Sequence, residues 1–321
     1  MEEIRNKIEK YQCKSIISLL KVTTIIVLEN KEDIVSISTE SKLIIFELKF
    51  YKIKLKTKKL TNDTLLDVKE LKDNKLIITS WNKEIIILQL LENNTKYIKI
   101  QTLNKHQSYV NAIIILKSFE NEKYLASSST DASVIIWKKN DNDKYEYFKT
   151  LQDTNFQTES IFESTKHKEL VSGSNQDRIV CFYDLKTFNL ICKIEEISIN
   201  RCIRALQITA EDFLIAAGYY SIYLINIITH QIINRFDINN TLEYNCVYLM
   251  NNGNILISNY EMESNQYSNI CQYSLDKKNE KLVKISSHQK MHESYITSIF
   301  ELENNDIITC GYDNLIKIWS Y

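Results

Sequence analysis

His292 to Tyr321 reads HESYITSIFELENNDIITCGYDNLIKIWSY, three short apolar runs broken by polar turns, with Trp319 six residues after Asp313. Relatives of this stretch recur back through the chain. In each, an apolar strand ends in Ser, Thr or a small residue, a polar turn follows, and a second apolar strand carries a large residue. The second halves are STESKLIIFEL (Ser38–Leu48), TSWNKEIIILQL (Thr79–Leu90), SSTDASVIIWKK (Ser128–Lys139) and GSNQDRIVCFYDL (Gly173–Leu185). AGYYSIYLINI (Ala217–Ile227), NQYSNICQYSL (Asn265–Leu275) and CGYDNLIKIWSY (Cys310–Tyr321) complete the series. Their large residues, Phe46, Leu88, Trp137, Tyr183, Ile225, Tyr273 and Trp319, are 42, 49, 46, 42, 48 and 46 residues apart.

Upstream of each second half lies one more apolar segment (IIVL, LLDV, VNAIIIL, SIF, IRALQI, CVYLM, ITSIF), and downstream a polar alternating one such as Tyr51 to Lys56. Each unit therefore supplies four strands, the innermost apolar and the outermost half-exposed. A period of about 45 residues with four strands per unit predicts an all-β, seven-bladed β-propeller of four-stranded antiparallel blades. One domain over 1–321 is expected. The last blade runs out after its third strand, so a strand drawn from about residues 4–17 should complete it and remove a free edge.

The composition fits. Net charge is −1, which gives no general pull toward nucleic acid or anionic membrane. Seven cysteines without metal-ligand spacing argue against a disulfide framework and suggest a reducing compartment. The first ten residues lack a signal peptide's apolar core, and no apolar run approaches the ~20 residues of a membrane span. An intracellular, cytoplasmic or nuclear, location is expected. Proline is absent and glycine occurs four times, so Asn, Asp and Ser are expected to fill the turns.

The chain resembles the WD-repeat β-propeller family over its full length, the third and last units most closely. That resemblance implies a buried hydrogen-bonded set of a His before the innermost strand, a Ser or Thr on the second, an Asp in the following turn and a Trp on the third. His106, Ser127, Asp131 and Trp137 fill those places, as do His292, Thr309, Asp313 and Trp319. In the fourth unit Tyr183 follows Asp177, which sits one residue late, while Phe46, Leu88 and Ile225 lack the indole donor.

A Ser-His-Asp trio can signal hydrolysis. Here each trio comes with the Trp and the repeat register, and a nucleophile is needed once rather than once per blade. Structure is the simpler reading. No phosphate loop or HExxH motif occurs, and His167 and His230 have no metal-ligating company. No catalytic residue, cofactor or metal is assigned; a channel enzyme would have to use Asp67, Arg201 or Arg204.

The stronger functional signal is aromatic. The residue opening each innermost strand reads approximately Val22, Leu65, Tyr109, Gln157, Cys202, Tyr244 and Tyr295. Three of these seven are Tyr, against 19 of 321 residues in the chain. The turns before the third strands add Trp81, Tyr219, Tyr220, Tyr260 and Tyr312. Aromatics with a polar tip serve protein-binding hot spots. The expected function is a non-catalytic scaffold binding a peptide or partner domain through Trp81, Tyr109, Tyr219, Tyr244, Tyr260, Tyr295 and Tyr312, as a monomeric propeller within a hetero-complex. A turn lengthened around Ser258–Tyr273, carrying Glu261 and Glu263, should rise on the same face, and a solvated loop, Lys138–Tyr147, should lie opposite. The alternative is a nucleic-acid or anionic-membrane surface on Lys49–Lys59, although charged edge strands are ordinary and arginine is scarce.

Overall fold

The computed structural model describes residues 12–18, 21–50, 52–174, 179–195, 203–208, 213–218, 221–237, 242–261 and 267–320. Asp177, Arg201, Cys202, Tyr219, Tyr220, Glu263 and residues 4–11 lie outside them, as do the side chains of Arg204 and Tyr244. The described residues form strands joined by tight turns, with one turn of 3-10 helix at Glu120–Glu122. The chain divides into two compact units, Thr23–Ile203 and Met1–Val22 with Arg204–Tyr321.

Strand β1 (Gln12–Ser18) belongs to the second of these. The unit Thr23–Ile203 carries four blades. The first is β2 (Val22–Val27), β3 (Asp33–Ser38), β4 (Leu43–Glu47) and β5 (Lys52–Lys56). The second is β6 (Leu65–Leu71), β7 (Lys75–Ser80), β8 (Ile85–Leu91) and β9 (Lys96–Leu103). The third is β10 (Val110–Ile115), β11 (Tyr124–Ser129), β12 (Val134–Lys139) and β13 (Tyr145–Leu151). The fourth is β14 (Thr158–Ser164), β15 (Glu169–Ser174), β16 (Val180–Asp184) and β17 (Asn189–Ile194).

The other unit carries blade five, β18 (Ile203–Ile208), β19 (Phe213–Gly218), β20 (Ser221–Asn226) and β21 (Gln231–Asp237). Blade six is β22 (Leu242–Leu249), β23 (Ile255–Glu261), β24 (Ser268–Asp276) and β25 (Lys281–His292). Blade seven is β26 (Ile296–Glu301), β27 (Ile307–Gly311) and β28 (Leu315–Ser320), with β1 paired antiparallel to β28 as its fourth strand. Every blade is a four-stranded antiparallel sheet in meander order, and the N-terminal strand completes the last one.

The middle strands read as near-continuous Ile, Val and Leu because both their faces are covered; β3 and β11 are buried at every residue. Innermost strands mix buried and half-buried residues, as β10 does, so they are less enclosed than their apolar sequence suggested. Outer strands such as β5 bury one residue, Leu55. The large residues of the third strands mark one structural event. Where β4 meets β5 the register shifts between Ile45 and Phe46, and the same shift falls at Leu88, Trp137, Tyr183, Ile225 and Tyr273. In blade seven it falls at Trp319, between its partners Cys13 and Ser15. A bulge at one repeated point gives each blade the same local twist.

With so few glycines, ordinary residues bend the turns. Ser41, Lys83, Ala132 and Asn314 hold the equivalent place between second and third strands, all left-handed with φ of 63–68°. Lys and Glu share this task with the expected Asn, Asp and Ser, as at Lys31 and Glu280, because the tight turn fixes the backbone whatever residue stands there.

Carboxylates bind neighbouring blades together. Near the ends of β6, β14 and β26, Glu70, Glu163 and Glu301 stand one strand pair inward from the large residue's register, opposite Leu76, Leu170 and Ile307. Glu70 accepts the Glu29 N–H at 2.6 Å, and Glu163 accepts those of Lys117 and Ser118 at 2.6 and 2.7 Å. Glu301 accepts the Asn251 N–H at 2.7 Å. In blade three that register place is Ile115, and Glu122 substitutes from the 3-10 turn, accepting the Lys72 N–H at 2.8 Å. Asn121 and Glu122 both adopt positive φ to bring it there.

Burial pushes the Glu70 carboxyl up to about 7; the Glu29 N–H pulls the other way, and the Glu29 and Glu122 carboxylates add to the rise. A carboxyl raised in the fold favours folding while protonated, and that contribution fades as pH climbs from about 4.5 through 7. Glu70→Gln keeps an acceptor for Glu29 without the charge. It should stabilise the protein by about 1 kcal/mol at pH 8, allowing for solvent screening, and by nothing measurable at pH 5. Thermal melts of both proteins at the two pH values check this.

Candidate interaction surface

Among the described residues, two blades contain a complete polar chain. The Trp319 indole N–H donates to Thr309 Oγ1 at 2.8 Å, and Thr309 lies 2.7 Å from His292 Nε2. His292 Nδ1 lies 2.9 Å from both Asp313 oxygens. In blade three Trp137 donates to Ser127 Oγ at 2.8 Å, His106 Nε2 is 2.8 Å from the same oxygen, and His106 Nδ1 is 3.0 Å from Asp131. One tautomer satisfies every atom. The hydroxyl accepts from the indole and donates to Nε2, and Nδ1–H donates to the carboxylate. Burial lowers the His292 pKa, keeping the ring neutral as this chain requires. Burial opposes ionisation of Asp313, yet the hydrogen bonds from His292 and from the Glu293 and Leu315 N–H groups together outweigh it and hold the carboxyl below its usual range.

The other blades show why the sets are incomplete. The His place, four residues before the innermost strand, is Thr61 in blade two and Thr154 in blade four. The second-strand place is Ile78 in blade two and Ile257 in blade six, beside Leu88 and Tyr273, so no chain can form there. Blade six instead buries Asn259, Asn269, Gln272 and His288. Asn269 donates to Asn259 at 3.3 Å, and Ser286 donates to Gln272 at 3.2 Å.

At the Asp-turn end of the blades one backbone bond recurs. The N–H after the second strand donates to the carbonyl just before the innermost strand: Trp81 to Thr64, Thr130 to Tyr109 and Tyr312 to Tyr295. Aromatics on these two positions meet. Trp81 and Tyr109 are 41% and 42% exposed and stack 5.1 Å apart at 19°. In the other unit Tyr260 stacks on Tyr295 at 4.0 Å, and Tyr295 meets Tyr312 edge-on at 6.5 Å.

The opening positions fall in two registers. Val22 and Leu65 open their strands and are buried, whereas Tyr109 and Tyr295 stand one residue before theirs. Tyr244 pairs with Asn259 as Ile296 pairs with Gly311, so it stands one place inward of the Tyr295 position. Phe156, exposed on the connection before β14, carried no repeat signal because it lies two residues, not one, before the strand. It borders a cavity of about 290 Å³ lined with Thr130, Asp131, Ala132, Asn155 and Gln157.

A model of the WD40 family, described as "WD domain, G-beta repeat", matches residues 98–138 and 282–320, the stretches that hold Trp137 and Trp319. The crystal structure of the WD40 beta propeller domain of Doa1 superposes with a TM-score of 0.72, covering 97% of each chain at 18% identity. The protein is a seven-bladed β-propeller with two stretches that match the WD40 repeat. No curated protein sequence matches it. WD40 propellers are common protein-interaction scaffolds, generally non-catalytic, and bind protein partners. At this identity the likeness defines the fold alone, since one fold serves many functions. Among the described residues no helix is long and apolar enough to cross a membrane.

The remaining candidates in this propeller are engaged in other ways. Asp67 accepts the Val68 N–H at 2.9 Å and the Ile113 N–H at 3.0 Å, with Lys69 at 2.6 Å, so its carboxylate joins blades two and three. Lys54 pairs with the buried Asp33 at 2.7 Å, and that hydrogen bond raises its pKa. Lys52, Lys56, Lys58 and Lys59 stay exposed on or just beyond the outer strand. Lys138–Tyr147 is a hairpin rather than a free loop. Asp143 pairs with Lys75 and Lys139, and the buried Tyr145 donates to the Glu122 carbonyl at 2.9 Å.

Thr309→Val keeps the shape but strands the Trp319 N–H and His292 Nε2, both buried. It should cost about 2–4 kcal/mol in chemical denaturation. A cost under about 0.5 kcal/mol would show that the chain contributes nothing to stability.

Proposed function

We propose that the protein is a non-catalytic interaction scaffold that receives a peptide segment or partner domain on the Trp81–Tyr109 patch, within a larger cytoplasmic complex. The stacked, exposed pair carries this reading. Two flat amphipathic rings present apolar area with few rotamers to freeze, which is what binding hot spots use. Each ring stands on backbone fixed by a hydrogen bond to the neighbouring turn, so little ordering remains for the bound state. The tyrosine trio Tyr260, Tyr295 and Tyr312 offers a second patch of the same kind on its own unit.

Trp81→Ala/Tyr109→Ala should melt within a few degrees of wild type, because both side chains are exposed. In affinity capture from source lysate the variant should lose the wild-type partner. Retention of the same partners by an equally stable variant would move the site elsewhere. The exposed lysines around β5 would come next, and there binding should weaken steeply with salt.

A further inference from the structure

The cavity beside this patch is electrostatically one-sided. Its lining of Thr130, Asp131, Ala132, Asn155, Phe156 and Gln157 contains one carboxylate and no cation. Three connections meet there, residues 104–109, 130–133 and 152–157. Together they bring Asp131 and Asp153 against one lysine, Lys105, whose ammonium already lies 5.0 Å over the Tyr147 ring. Asp131 stays ionised. Burial works against its charge, but hydrogen bonds from His106, Ser133 and the Gln107 N–H hold its carboxyl far below the usual range.

The rim is aromatic and the floor is fixed. Phe156 is 46% exposed. Thr154 Oγ1 lies 3.2 Å from the carbonyls of Ala132 and Phe156, tying the blade-three turn to the connection of blade four. Thr130 continues the cavity toward the aromatic pair, since its N–H donates to the Tyr109 carbonyl.

We infer that this cavity receives an arginine side chain of the bound segment while a neighbouring residue of that segment lies on Trp81 and Tyr109. A guanidinium stacks on an aromatic ring while its charge is drawn to a fixed carboxylate, and Phe156 and Asp131 both line this cavity. The fixed charge of Asp131 favours a cation and disfavours an acidic segment at the same place. The inference rests on the scaffold reading and names the chemistry of its ligand.

Linear random peptides displayed on phage, selected against the full chain, test it. Selected peptides are then synthesised and measured by fluorescence anisotropy, each with its basic residue replaced in turn by lysine, norleucine and glutamate. Selected peptides should carry arginine. Norleucine or glutamate in its place, and Phe156→Ser in the protein, should each weaken binding at least tenfold, and lysine should weaken it less. Peptides that need Trp81 and Tyr109 but tolerate norleucine and Phe156→Ser overturn the arginine site and leave the scaffold reading standing. Selection of no peptide, or of peptides indifferent to both aromatic sets, overturns both. Phe156 is exposed, so Phe156→Ser should retain the wild-type melting temperature, which the same samples show.

Discussion

Within each unit, neighbouring blades are held in register by carboxylates that accept backbone N–H groups across the gap between sheets. Apolar slabs can slide over one another at little cost, because burial is non-directional. Glu163 clasping Lys117 and Ser118, Glu301 clasping Asn251, and Asp67 reaching Ile113 remove that freedom with directional bonds. Glu122 shows how much the position matters. Where the strand supplies Ile115 instead of an acid, two consecutive left-handed residues bend a turn to bring a glutamate to an equivalent backbone N–H. Left-handed backbone at Asn and Glu costs free energy, of order 1 kcal/mol per residue.

The polar chains of blades three and seven do the complementary work inside a blade. They let a turn, two strands and the connection from the preceding blade share one network whose every buried atom is satisfied. Blade two reaches the same geometry with Ile78 and Leu88, and blade six with a different set of amides. The shared element is the bulge at the large third-strand residue, and the hydrogen-bond set is one way of filling the space beside it.

Much of this was legible in the sequence because large third-strand residues recur at a near-constant spacing, and His, Ser or Thr, Asp and Trp fall at fixed offsets around them. Trp137 and Trp319 therefore placed their whole sets. The interblade glutamates were harder to see, since a Glu at the end of an apolar run looks like any strand end, and Glu122 is displaced from its register altogether. Val22 and Leu65 open their strands, whereas the exposed place that Tyr109 and Tyr295 hold lies one residue earlier, a difference that the apolar pattern alone does not mark. Phe156 escaped because it lies two residues before β14, one place off the position that the repeat marks. The pairing of Trp81 with Tyr109 could be expected only as a shared face; their stacking comes from adjacent blades.

The three tryptophans divide by role: Trp137 and Trp319 are buried donors that close polar chains, and Trp81 is an exposed ring held ready for a partner. Hydrogen exchange at the three indole N–H groups, followed by NMR on the full chain, tests that division directly. Trp137 and Trp319 should exchange only through opening of the surrounding structure, orders of magnitude more slowly than Trp81, which should exchange nearly as a free indole. Fast exchange at Trp137 and Trp319, or protection of Trp81 equal to theirs, would contradict it.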